Sequence, residues 1–123
     1  MLNKYKIKNV LGYSEKYDYM VFEIEGDSFD YIPVNTDGIE IGDEVYAIGS
    51  PLGFENTISN GLISQKHRDF LYQISVPIDH GSSGGALINK YGEAVGITTG
   101  GIDASNANLN FAIDIKVMFN ERY

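Results

Sequence analysis

Between residues 44 and 113 the chain breaks into six short apolar, β-branched runs, at 44–49, 56–65, 70–76, 86–89, 94–99 and 110–113. This spacing constrains the fold more than anything else in the sequence. Most of the runs are too short for stable helices, and their composition favours a pleated, half-buried strand. Turn-forming segments punctuate them, among them Ser50-Pro51-Leu52-Gly53, Lys66-His67-Arg68-Asp69 and Lys90-Tyr91-Gly92-Glu93. Six strands joined by tight turns predict an antiparallel β-barrel, because closure removes the open edges that would recruit other chains. No alternation of strand and helix competes, so the fold class is all-β.

Upstream, Tyr5-Lys6-Ile7-Lys8-Asn9-Val10 and Met20-Val21-Phe22-Glu23-Ile24-Glu25 alternate polar and apolar residues on either side of a polar stretch from Gly12 to Asp18. That pattern predicts a hairpin. Residues 26–42 are irregular and acidic, with Pro33 and the turn-prone Asn35-Thr36-Asp37-Gly38, which suits a connection. The chain is therefore divided into a hairpin (1–26), a connection (27–42) and a barrel unit (43–123). Near the end, Asp114 is placed to cap a short helix over 115–119, its carboxylate accepting from free N–H groups of the first turn.

The formal net charge is −8, which argues against nucleic acid as a partner, since phosphate-tracking surfaces are basic. With no cysteine there is no disulfide, thiolate metal site or thiol nucleophile. The first eight residues lack the apolar run of a signal peptide, and no segment has the roughly 20 apolar residues of a membrane span. Composition leaves the compartment open.

Chemistry concentrates in Asp79-His80-Gly81-Ser82-Ser83-Gly84-Gly85-Ala86-Leu87, where Ser83 sits among three glycines directly before an apolar run. Amide hydrolysis needs an exposed hydroxyl beside backbone N–H groups that converge on the developing oxyanion, and glycines free the main chain to present them. A glycine-rich structural turn is the plainer alternative. The Gly-x-Ser-x-Gly spacing also fits the elbow of α/β-hydrolases, but that motif joins a strand to a helix, and here a strand-like run and a hairpin turn follow.

The surrounding segments resemble the HtrA-type branch of trypsin-like serine proteases over nearly the whole chain. The resemblance is carried in order by 42–53 (Gly-Asp-Glu-Val-Tyr-Ala-Ile-Gly-Ser-Pro-Leu-Gly), 57–64 (Thr-Ile-Ser-Asn-Gly-Leu-Ile-Ser), Tyr72-Gln73-Ile74, the serine loop, 92–99 (Gly-Glu-Ala-Val-Gly-Ile-Thr-Thr) and Asn110-Phe111-Ala112-Ile113. It implies that the six-stranded barrel is the second barrel of that fold, with the hairpin left from the first. It implies Ser83 as nucleophile, Asp18 as the aspartate that orients a histidine, and the N–H groups of Gly81 and Ser83 as the oxyanion hole. Thr98, Thr99 and Gly100 are expected to pair with substrate backbone. Val76, Pro77, His80 and Ala112 are expected around the pocket for the residue before the cleaved bond, which, lacking charge, suits a small or medium apolar side chain. No cofactor or metal is expected, because His80 and Asp79 are adjacent and offer too few ligands.

The pattern breaks at the general base. The chain has two histidines, His67 and His80, and neither precedes Asp18 as the family's catalytic histidine does. His80 lies in the loop that must build the oxyanion hole, and His67 in a polar turn. First-barrel strands and catalytic histidine are missing together, so the chain is read as part of a longer protease domain, inactive alone. Ser82 stands where digestive relatives carry an aspartate that pairs with a new N-terminus, which removes that route of activation; Ala86 replaces a common proline. The expected function is a serine endopeptidase acting on peptides or unfolded proteins. The alternative is a non-catalytic peptide-binding or scaffolding module of the same fold. Open edges on the hairpin predict self-association, and the resemblance suggests an extracytoplasmic parent.

Overall fold

The computed structural model describes residues 6–16, 19–49, 57–67, 70–78, 83–104 and 107–119. Two strands open the chain, β1 (Ile7–Ser14) and β2 (Tyr19–Ile24), paired antiparallel as a separate two-stranded sheet. Six more follow: β3 (Glu44–Gly49), β4 (Thr57–Lys66), β5 (Leu71–Ile74), β6 (Ala86–Asn89), β7 (Ala94–Ala104) and β8 (Ala107–Asp114). They close into a barrel in the order β3-β4-β5-β8-β7-β6, every pairing antiparallel, because β6 also pairs with β3.

The expected all-β architecture is present: a closed antiparallel barrel of six strands, a hairpin and a short helix. The elements differ from the sequence reading chiefly in length. β1 runs on through Ser14 by means of two bulges, at 7–9 and 10–12, so part of the polar stretch is strand. β7 and β8 extend well beyond 94–99 and 110–113. Gly101, Ile102, Asp103 and Ala104 pair only with β8 among the described residues, and this hairpin projects past the barrel wall.

Alternate positions of each strand fill the barrel. Val45 and Ala47 of β3, Tyr72 and Ile74 of β5, Leu87 of β6 and Ala112 of β8 point into one buried cluster, as a period of two requires. Ile39, from the connection, joins the same cluster. The connection is held across one end of the barrel: Val34 bridges Ala94, Asn35 N donates to Ala94 O at 2.9 Å, and Gly42 N donates to Ile63 O at 2.8 Å. Its polar fastening is Glu93, whose Oε1 accepts from Asn35 Nδ2 at 3.0 Å and Asn89 Nδ2 at 2.9 Å. These donors hold the Glu93 carboxyl below its ordinary pKa of 4.5 by stabilising the ionised form.

At the end of the described chain, α1 (Lys116–Phe119) begins where Asp114 Oδ1 accepts from Lys116 N at 3.0 Å. That is the cap expected from the sequence. The helix fastens the hairpin to the barrel, because Tyr19 of β2 is buried against Ile113 and Val117, with Val21, Phe70 and Met118 packed around them.

Candidate active site

Ser83 lies in a turn before β6 and is exposed. Residues 79–82 lie outside the described residues, but both stems of the serine loop are fixed. On the outgoing side, Gly84 adopts φ +89°, a left-handed conformation that a side chain would strain. Its N–H donates to Thr98 O at 2.6 Å, and Thr98 N–H donates to Gly85 O at 3.0 Å. Thr98 Oγ1 adds a bond of 3.3 Å to Gly85 O. The turn that carries Ser83 is thus stitched to β7.

The incoming stem, residues 75–78, is held by β4 and β8. Ser75 N donates to Leu62 O at 3.0 Å, and Leu62 N donates to Ser75 Oγ at 2.8 Å. Gly61 lets the two segments approach: a Cβ there would stand 2.9 Å from both Val76 N and Val76 Cγ2. Two residues on, Ile78 N donates to the buried side-chain Oδ1 of Asn110 at 3.3 Å.

The other residues singled out from the sequence divide clearly. Val76 and Ala112 have no exposed surface and belong to the barrel core. Pro77 is exposed and Thr99 half-buried. Thr98 is buried, and both its main-chain groups are engaged by Gly84 and Gly85, which leaves no backbone group on that side for a substrate. Beyond Thr98, the side of β7 facing away from β8 has no strand partner among the described residues, and Thr99 and Gly100 lie there. Asp18, His80 and Gly81 lie outside the described residues. Tyr19, the neighbour of Asp18, is anchored in the packing of β2 against β8 and α1.

His67 is in view and stands apart from the serine. Lys66 faces Tyr72, Tyr72 faces Ala112, and Ala112 faces Thr98, which bonds to Gly84 and Gly85. Four ladder steps of about 4.8 Å separate Lys66 from Gly84 by about 19 Å along the barrel wall. The His67 ring is occupied locally, with Nε2 2.9 Å from Gln73 Oε1 and its edge or face on Phe111 at 5.3 Å between centroids.

Sequence reasoning missed the parts played by Gly61, Ser75 and Asn110. Asn110 left a signal, a single amide in the otherwise apolar 109–113, whereas Gly61 and Ser75 read as ordinary strand and loop residues. A cleft of about 460 Å³ lies elsewhere, lined by residues including Asn35, Ile39, Asp43, Lys90 and Glu93. It sits at the β6–β7 turn, at the opposite end of β6 from Ser83. Among the described residues no group of three or more His, Cys, Asp or Glu side chains is arranged to hold a metal ion, and no helix is long and apolar enough to cross a membrane.

Comparison with known proteins bears on the family and the fold. The family model for the trypsin-like peptidase domain matches residues 3–97. A probable periplasmic serine endoprotease, DegP-like, from Buchnera aphidicola is 40% identical over 96 residues, covering 70% of this chain and 21% of that protein. The protein of the same description from Hahella chejuensis is 36% identical over 118 residues, covering 88% of this chain and 25% of that protein. The chain thus spans about a quarter of the length of these relatives. The crystal structure of the serine endoprotease from Yersinia pestis superposes with a TM-score of 0.83 at 32% identity, covering 94% of this chain and 42% of that one. The HtrA-type protease AlgW with decapeptide gives 0.79 at 28% identity, covering 92% and 38%.

Proposed function

Because the chain belongs to the trypsin-like peptidase family, in its HtrA/DegP branch, we propose that it is the nucleophile-bearing part of a serine endopeptidase acting through an acyl-enzyme. The observation that carries this reading is the pinning of the exposed Ser83 turn to β7 through Gly84, Gly85 and Thr98. A nucleophile needs such rigid support to hold its hydroxyl at a defined place beside a bound peptide.

In the proposed reaction Ser83 Oγ attacks the peptide carbonyl carbon while a histidine takes its proton. The N–H groups of Gly81 and Ser83 hold the tetrahedral oxyanion. Collapse breaks the C–N bond, the histidine protonates the departing amine, and water then hydrolyses the ester on Ser83. Asp18 orients the histidine. Substrate backbone adds to the open side of β7 at Thr99 and Gly100, as an extra strand, while Thr98 serves by holding the serine turn. The residues assigned to the pocket carry no charge, which suits a small or medium apolar residue before the cleaved bond. The AlgW structure includes a decapeptide, and peptides or unfolded proteins are the proposed substrates here.

The base is the gap in this set. His67 is engaged far along the barrel wall, and His80 belongs to the loop that must form the oxyanion hole. We therefore expect the isolated chain to be nearly inert, since loss of the base costs on the order of a million-fold in turnover. The test is hydrolysis of a fluorogenic peptide by the chain alone and by the chain fused behind the first-barrel strands of a DegP-like relative, with their histidine. The fusion should turn over substrate and lose activity with Ser83→Ala. Ordinary rates from the isolated chain, or a fusion whose activity survives Ser83→Ala, would refute the assignment.

A further inference from the structure

The cleft of about 460 Å³ at the β6–β7 turn has the size of a small-ligand site, which spans roughly 300–1,000 Å³. Its walls are complete. β3, β6 and β7, which supply Val45, Asn89 and Val95 to it, each lie between two other strands of the closed barrel. The connection forms the facing wall and is fastened to the barrel by main-chain bonds at Ala94 and Ile63. Ile39, Val45 and Val95 give the cleft an apolar floor continuous with the core.

The hydrogen-bonding groups around this floor set the character of what fits. Many of its donors are already engaged within the protein. The side-chain amides of Asn35 and Asn89 both donate to Glu93 Oε1, the N–H groups of Tyr91 and Glu93 donate to Asn89 Oδ1, and those of Gly42 and Asp43 donate to main-chain carbonyls. Acceptors remain. Asp43 accepts from Glu40 N through Oδ2 at 2.9 Å, Glu44 from Tyr46 Oη through Oε1 at 2.9 Å, and Glu93 through Oε1 alone. Each of the three carboxylates is thus oriented by neutral donors on one oxygen, while its second oxygen accepts no hydrogen bond among the described residues. None of the three is in an ion pair among those residues. Neutral donors fix a carboxylate without cancelling its charge, and the net charge of −8 adds a long-range pull on cations.

We propose that this cleft binds an alkyl ammonium, its methylene chain on the floor of Ile39, Val45 and Val95 and its ammonium groups on Asp43, Glu44 and Glu93. A single metal ion is a poorer match, because no three or more His, Cys, Asp or Glu side chains among the described residues are arranged to hold one. Carboxylates spread along a cleft suit charges spread along a chain. Lys90 is the one cationic side chain among the described residues that line the cleft, and its Nζ stands over the Tyr91 ring, 5.3 Å from the centroid. The rim therefore already holds one ammonium group, the protein's own. Such chemistry has two sources, a free polyamine and the lysine side chains of a peptide. The site lies at the far end of β6 from Ser83, so it stands whether or not the chain is part of a peptidase.

The test is titration of the nitrogen-15-labelled chain with spermidine, with an acetylated and amidated trilysine peptide, and with magnesium chloride, followed by backbone amide shifts. The expected result is saturable shifts confined to residues 35–45 and 89–95, with a dissociation constant on the order of 0.1–1 mM at low salt, because exposed ion pairs are individually weak. Glu93→Gln and Asp43→Asn keep an acceptor for their present donors and should each weaken binding about fivefold. Glu23→Gln, exposed on the hairpin, should leave it unchanged. Lys90→Gln should tighten binding, because it removes the competing ammonium and frees the Tyr91 ring. Tighter binding of spermidine assigns the site to a free polyamine, and tighter binding of trilysine assigns it to a peptide. No saturable shift, magnesium saturating the same amides at equal or lower concentration, binding indifferent to Glu93→Gln and Asp43→Asn, or an equal loss with Glu23→Gln would each overturn the proposal.

Discussion

Replacing Gly61 by alanine separates two opposing effects at the stem of the serine loop. Ordinarily a glycine within a strand gains about 0.4–1 kcal/mol on becoming alanine, because the unfolded chain loses freedom. Here the added methyl would meet Ser75 Oγ, Val76 N and Val76 Cγ2, the last two at 2.9 Å. Ser75 Oγ can swing aside only by abandoning Leu62 N, a bond of 2.8 Å worth about 1 kcal/mol. Val76 has no exposed surface and cannot yield without disturbing the core, which costs a further 1–3 kcal/mol or so. The net expectation is a destabilisation of about 1–3 kcal/mol, once the entropic gain is set against these costs. Urea unfolding followed by circular dichroism reads this as a midpoint lowered by roughly 1 M, for a slope of about 1–3 kcal/mol per molar. Ser75→Ala alone should cost about 1 kcal/mol through the same lost bond. The double variant Gly61→Ala/Ser75→Ala should cost less than the two singles added, because one bond cannot be lost twice. A Gly61→Ala protein as stable as the parent, or strictly additive costs, would refute the close-approach argument.

Asn110→Ala leaves Ile78 N–H buried without its acceptor, at an expected cost of about 1–2 kcal/mol for a bond as long as this one; faster amide exchange at Ile78 locates the effect. Asp114→Ala removes the cap of α1 and should cost about 1 kcal/mol in urea unfolding, whereas Asp114→Asn, which keeps the accepting oxygen, should recover most of that loss. Glu93 makes stability depend on pH in a defined direction. Its folded pKa lies below 4.5, so folding favours the ionised form, and that contribution is present above the unfolded value and lost as pH falls through the folded one. Glu93→Gln keeps an acceptor for Asn35 and Asn89 but does not titrate, so its midpoint should fall less steeply below about pH 4.5 than the parent's. Equal slopes would remove Glu93 from the account.

The barrel was legible because its signals are local. Val45 and Ala47, Tyr72 and Ile74 alternate with outward residues, and the strands end at turn residues such as the Lys90-Tyr91-Gly92 segment. Asp114 announced its cap by standing immediately before an apolar helical stretch. The lengths of β7 and β8 were not legible, because Gly101 and Asp103 have low strand propensity and are held in the ladder by the facing arm. The site was half legible. Ser83 and its glycines stand out in the sequence, but the supports beneath them are long-range. Gly61 acts on Val76, Asn110 on Ile78, and Thr98 on Gly84 and Gly85, and no local pattern encodes which segments meet. Thr98 was read as a partner for substrate, but a sequence does not reveal that its main-chain groups are already engaged within the fold.

The projection of β7 and β8 beyond the barrel bears on how such a chain can vary. From Gly101 to Ala104 the ladder pairs, among the described residues, only with its opposite arm, so its length is not tied to barrel closure. Adding or removing two residues on each arm keeps the parity of the pleat, and every remaining side chain stays on its face. A change of one residue on each arm exchanges the faces of whatever lies beyond it. The reach of the open side of β7 beside Ser83 can therefore be tuned in even steps without repacking a core residue, whereas odd steps need a compensating bulge, like the register shift already present between Thr98 and Gly101.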